Sequence, residues 1–448
     1  MRTTLHTGAL LATVALAMAS AQPAMAATAA TTAAAATWSP ALAGGSGAGV
    51  TVVDGTARLD PSTAFLAPPD PAPALHPTLG LDPMHPPAAV VNGSSRAVGA
   101  PGAEGGADGG ADGQTRRAPR GVVATGLLTL PAHDLVSATD RIATSVSTET
   151  GTGTGAAVDV RGLRATGNWS EWITAGADGM AVLPESSAQV QARLVLTGDP
   201  GPVVTGVTLT AAKPSQTEGT QTLGAPRTYR VYATREGLPG GTTANGHVIA
   251  PHDHFVALPS RRALSPNGKS DYSVRVCASN GRCVFAPVWD VGPWNTHDDY
   301  WNPATLRQQW TDLPQGTPEA QAAVKTKYNG GKDQYNRHVV NPAGIDLGDG
   351  VFWDDLGLVT NSTVTVTYLW TGDVRLEKVV DTGPVLAAPK PDAKVVGVAA
   401  NDAGVPVECT TGDWLRIGID QYLAAAAVPD HSGVGKCVNA GISPDNQQ

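Results

Sequence analysis

Residues 229–259 read YRVYATREGLPGGTTANGHVIAPHDHFVALP, and the fold turns on how this stretch is read. The segment 229–234 is short, rich in Tyr and Val, and alternates in character, the pattern of a half-buried strand. Gly237, Pro239, Gly240 and Gly241 then stop it, because Gly and Pro are the residues that turn chemistry selects. A second strand is expected at 254–258, ended by Pro259. Three more segments of the same kind follow at 273–278, 282–289 and 362–370. Short strands separated by turn signals predict a small closed β-barrel over 227–372. Residues 294–343 interrupt the rhythm as a long insertion. Within it Glu319, Ala320, Ala322, Ala323 and Val324 predict a short helix inside 318–328.

Outward from the barrel the chain stays β-rich. Only 15% of its 448 residues are charged, while 52 Gly and 35 Pro favour turns over long amphipathic helices. Segments at 122–130, 157–164, 170–174, 189–196 and 203–211 predict an N-terminal β-sandwich over 121–212. The polar stretch 213–226 is expected to link it to the barrel. Segments at 395–399, 405–409, 414–417 and 422–426 predict a third small β-domain over 381–440. The fold class expected is therefore all-β throughout.

The first residues address the compartment. Arg2, an apolar run over 9–21 and Ala24-Met25-Ala26 have the layout of a secretory signal peptide, residues 1–26. The run is too short to span a bilayer, so cleavage is expected to release a soluble, extracellular or wall-associated monomer. Within 27–120, residues 27–37 are Ala/Thr-rich and low in complexity, 38–66 alternates apolar and polar residues only weakly, and 67–120 is rich in Pro, Gly, Ala and Asp. Such composition buries too little apolar surface to offset its ordering entropy, and reads as disorder with a linker. A net charge of −9 argues against a general nucleic-acid binder.

Four cysteines without a Cys-x-x-Cys pair read as two disulfides rather than a zinc site. Cys277 and Cys283 flank Ser279-Asn280-Gly281. A two-residue Asn-Gly turn sets these sulfurs on opposite faces, because facing alternates with every residue. A three-residue loop with Gly281 left-handed sets them directly opposite, within reach of an S–S bond. Cys409 with Cys437 is the second expected pair, closing the C-terminal domain.

Several blocks in this order carry a resemblance. They are Gly241, Thr243, Asn245 and Gly246; Leu258-Pro259; Asp290 with Gly292-Pro293; Ile345-Asp346-Leu347; and a closing strand over 364–370. Together they resemble the double-psi β-barrel of RlpA-like and expansin-like proteins, over about a third of the chain. The resemblance implies a glycan groove, with Asn245, His247, Trp294, Tyr300 and Trp301 as contacts to polysaccharide or peptidoglycan. Lytic relatives carry an acid directly after Asn-Gly and a His three residues before Leu-Pro. Here those positions hold His247 and Phe255.

The chemistry also follows from the residues themselves. Gly292-Pro293 turns the chain directly after a strand, which sets Asp290 at a strand end, either lining a groove or bonding its own turn. Asp346 precedes a possible helical turn over 348–356, and either caps that turn or meets Asp290 in a cleft. Two carboxylates in one cleft raise each other's pKa, so that one keeps a proton. His247, His252 and His254 with Asp253 read as solvated loop groups or, less simply, as a metal cluster. No metal and no cofactor is expected.

Two flanking segments add resemblances. The piece 158–209 resembles the Trp-Ser-x-Trp β-sandwich at the N-termini of secreted actinobacterial hydrolases, with Trp169 and Trp172 as core or as a sugar platform. VLAAPKPDAKVVGVAANDAGVPVECTTGDWLRIGIDQYLAAAAV, residues 385–428, resembles a bacterial SH3-like domain, which implies a peptidoglycan anchor or a spacer. Three functions follow: wall binding or remodelling without hydrolysis, expansin-like; lytic cleavage using Asp290 and Asp346; or a secreted protease inhibitor. His247 in place of the acid favours the first.

Overall fold

The computed structural model describes residues 36–67, 123–149, 155–198, 201–215 and 224–438. The expected signal peptide and nearly all of the Pro/Gly-rich linker lie outside the described residues. The chain is all-β, with one short α-helix among the described residues, and no described helix is long and apolar enough to cross a membrane.

The N-terminal domain is an antiparallel sheet of 11 strands, dominated by the long strands His133–Thr148 and Met180–Thr197. Leu128, Ile142, Val160, Leu194 and Leu209 fill its core. Residues 36–67 correct the expectation of disorder. Ser46–Ala48 pairs with Val123–Thr129, and the hairpin of Val50–Val53 with Thr56–Leu59 joins Val203–Ala211. These strands are short, and their alternation in the sequence, as at 50–53, is weak. The neighbouring sheet completes their burial, as at Ala57, which is fully buried.

The barrel has six strands: β1 Arg227–Glu236, β2 Val256–Leu258, β3 Ser273–Cys277, β4 Cys283–Val291, β5 Ala343–Gly348 and β6 Ser362–Tyr368. Their order β2-β5-β1-β6-β3-β4 closes by pairing β4 back on β2. Two pairings, β1 with β5 and β2 with β4, are parallel, and the others are antiparallel. Val231, Ala233, Val256, Leu258, Ile345 and Leu347 line the interior. At the β3–β4 turn Cys277 faces Cys283 with Cα atoms 4.1 Å apart, and Gly281 has φ +87°. The three-residue loop expected from the cysteines is the one present, and Ala278 N–H donates to Arg282 O across it.

The insertion folds around α1, Glu319–Thr326, and a buried Asp298–Arg307 ion pair. The C-terminal domain starts earlier than expected, at Leu376–Lys378, and it is not a detached module. Its strand Val395–Ala399 pairs in parallel with β4, and Phe285 and Leu369 enter its core. Cys409 and Cys437 are joined, with Cα atoms 4.8 Å apart.

The first two domains are welded by Asn168-Trp169-Ser170-Glu171-Trp172. Glu171 accepts from Trp301 Nε1 at 2.6 Å, Trp370 Nε1 at 2.8 Å and Asn302 Nδ2 at 2.6 Å. The Trp172 ring, fully buried, enters the barrel core between the guanidinium groups of Arg161 and Arg193. Trp172 is thus no sugar platform. Glu171→Ala strands three buried donors, at about 1–3 kcal/mol each. We expect its urea midpoint to fall clearly below that of the parent, with tryptophan fluorescence as the probe. An unchanged midpoint would dismiss the weld.

Candidate functional site

One wall of the barrel, β1-β5-β2-β4, carries a lateral row of side chains. Thr234 lies opposite Asp346, Asp346 opposite Ala257, and Ala257 opposite Asp290. The last pairing depends on an irregularity. The β2–β4 register slips between Val256/Val288 and Ala257/Asp290, so Trp289 is the extra residue. A bulge of this kind re-aims the side chain that follows it. Asp290 thereby joins the row, while Trp289 packs with Ile249 and Phe255. Glu236, two residues beyond Thr234 on β1, shares that face by the period of two.

The result is three carboxyl groups together: Glu236, Asp290 and Asp346, only 1%, 5% and 1% exposed. Asp346 accepts from Thr234 Oγ1, and its other oxygen is buried without a partner. Asp290 accepts from the N–H groups of Ala244 and Val291, each at 2.8 Å. No ordinary donor reaches either Glu236 oxygen, and its contact with Asp290 requires a proton between the two carboxyls. Burial pushes Asp346 up to about 8, with the charge of Asp290 adding to it. Burial, then Asp290 and Asp346, hold Glu236 well above the carboxylate range. Burial also raises Asp290, although Glu236 and the two N–H groups oppose it. At neutral pH the group therefore holds protons, as acid–base chemistry or a dry polar clamp requires.

Loop 237–255 reaches this row through Ala244 N–H, which donates to Asp290, and the π-helical turn Gly350–Asp355 lies against the loop through the Gly350 N–H to Asp253 O bond. Each histidine has its own acid. His247 Nε2 meets Asp253 at 2.7 Å, His252 Nδ1 meets Asp354 at 2.8 Å and His254 Nδ1 meets Asp355 at 2.7 Å. They do not converge on a common point. Burial works against the charge of His254, but its hydrogen bond and ion pair with Asp355 outweigh that and raise its pKa.

Asp346 is not a helix cap, because it lies inside strand β5, three residues before the turn's flanking residue Asp349. Asp290 bonds its own turn through Val291 and also belongs to the acid row. Asn245 is buried and satisfied, accepting from Thr243 Oγ1 and donating to Ser265 O, so it shapes the loop and is not free for a ligand. Tyr300 and Trp301 correct the reading as surface platforms. Both are 0% exposed in the core where the insertion docks, Trp301 stacked on Tyr368 and edge-on to Trp370, and Tyr300 edge-on to Tyr368. Trp294 is half-buried in the insertion, with Nε1 donating to Asn341. His247 is half-buried, with its ring 4.4 Å from that of Trp289. Glu236 escaped the sequence reading because it follows the predicted strand at 229–234, and only the extension of β1 to Glu236 places it in the row.

A family model described as a domain of unknown function (DUF8814) matches residues 227–367, which is the span of the barrel from β1 into β6. No curated protein matches the chain.

The burial of Asp346 has a consequence for stability. Its pKa is about 8 when folded against an ordinary 3.8. Between those values the folded chain keeps a proton that the unfolded chain releases, so this contribution falls as pH rises through the window. Asp346→Asn keeps the shape and does not titrate. We expect the parent to lose more stability than this variant between pH 5 and pH 8, by an amount on the order of a few kcal/mol. Urea unfolding at both pH values measures it, and parallel losses would contradict the buried-acid assignment.

Proposed function

We propose that this chain is an exported, cell-wall-associated protein that binds and remodels polysaccharide or peptidoglycan without hydrolysing it. The observation that carries this reading is the enclosed acid row, set at the blocks that resemble the RlpA-like and expansin-like barrel. Asp290 and Asp346 stand where the Asp-x-Gly-Pro and Ile-Asp-Leu blocks put them, beside Glu236. With 1–5% exposure none of the three reaches a glycosidic oxygen in this arrangement. The position after Asn245-Gly246 holds His247, already engaged with Asp253. Two disulfides suit an oxidising compartment. The C-terminal domain, on its SH3-like resemblance, supplies wall affinity.

A lytic reading has one observation in its favour: a carboxyl group kept protonated near neutral pH is what a general acid needs. Incubation with purified peptidoglycan separates the two. We expect the protein to sediment with the wall, and mass spectrometry of the supernatant to show no anhydro-sugar products. Release of such products, lost in Asp290→Asn, would establish the lytic reading instead. Failure to sediment with any wall glycan would overturn both.

A further inference from the structure

Beside the acid row lies an aromatic surface that the motif blocks do not include. The π-helical turn Gly350–Asp355 splits its residues sharply. Val351, Phe352 and Asp355 point inward, while Trp353 stands 42% exposed. A π turn interrupts regular helix geometry and is frequent at functional positions. The Arg235 guanidinium lies 4.5 Å from the Trp353 ring centroid, and His252 is tilted at 6.0 Å from it. Both neighbours are held in place, Arg235 by Asp349 at 2.7 Å and His252 by Asp354 at 2.8 Å. Gly237 packs against the same guanidinium. Leu238 follows, 48% exposed and with φ +85°, a backbone conformation strained for any residue but glycine. Strain and exposed apolar area on one small surface, next to Glu236, are the marks of a binding position.

The charge balance selects the ligand. Arg235 is engaged by Asp349 and His252 by Asp354, so the two groups nearest the ring are already partnered and neither offers a free charge to an ionic ligand. What remains is a flat ring, 42% exposed, backed on one face by the Arg235 guanidinium, with His252 and Asp354 beside it. A pyranose offers the complement, with an apolar C–H face and equatorial hydroxyl groups. From this juxtaposition we infer that Trp353, with Arg235, His252 and Asp354 around it, is a stacking platform for one sugar of a neutral pyranose chain. This rests on the glycan reading above and names its contact surface.

Sedimentation with protease-treated peptidoglycan and with cellulose, and fluorescence titration with N-acetylglucosamine tetramer, test it. Trp353→Ala is expected to weaken binding by about tenfold, roughly the loss of one good stacking contact. Trp353→Tyr keeps a ring and is expected to weaken it less, with the same melting temperature as the parent. If the parent binds glycan and both variants bind equally well, the platform is wrong while the wall reading stands. If the parent binds none of the three probes, both fall together. Binding only to walls that have kept their protein would assign the surface to a protein partner and overturn the sugar.

Discussion

The carboxylate of Glu171 is the interaction on which the rest of this structure depends. It is buried between two domains and takes hydrogen bonds from Trp301 of the insertion and from Trp370 at the end of the barrel. Charge-assisted bonds of this kind contribute about 1.5–3 kcal/mol each, because neither partner is left to find water. Around it the polar network continues. Asp159 holds Arg193 at 2.6 Å and Arg261 at 3.3 Å, and Arg161 reaches Asp271 at 2.7 Å. Removing one member of such a set leaves its partners as uncompensated buried charges. The orientation of domain and barrel is thereby fixed by chemistry more directional than apolar contact alone.

The acid row depends on a different constraint, the register of a three-residue strand. With β2 so short, its pairing to β4 on one side and β5 on the other is what aligns Asp290 with Asp346. Without the slip at Trp289, strict alternation would separate Asp290 from Ala257 and from the acids. Gly348 contributes by omission: a Cβ there would lie 2.8 Å from the Phe255 ring, so any larger residue would push the loop off the wall.

Much of the fold is legible in the sequence because strand chemistry is local. The Tyr/Val alternation of β1 and the Ser279-Asn280-Gly281 turn point to elements that the structure contains, and the two cysteines pick the correct loop length. Strand His133–Thr148 does not announce itself. Its buried apolar positions, such as Leu135 and Ile142, are sparse, and its partners supply the rest. Tyr300 and Trp301 mislead for a related reason. Aromatic residues near a groove look alike in sequence whether they face solvent or core, and only the docking of the insertion decides. Trp353 carries the opposite signal, an aromatic inside the acidic, Gly-bounded run Gly350–Asp355, yet its exposure follows from the π turn and not from any periodicity.

Two kinds of contact hold the elements around the site, and they differ in strength. The domain weld is buried throughout. The contact between loop and turn consists of backbone bonds from Gly348 to Phe255 and from Gly350 to Asp253, together with His–Asp pairs toward the turn. His252 and Asp354 are both largely exposed, and pairs of that kind contribute only about 0–1 kcal/mol. His254 and Asp355, more enclosed, hold harder. The turn is also anchored from within, because Val351, Phe352 and Leu356 belong to the barrel core and Arg235 holds Asp349 at 2.7 Å. Its position therefore rests on buried apolar contact more than on the exposed His–Asp pair.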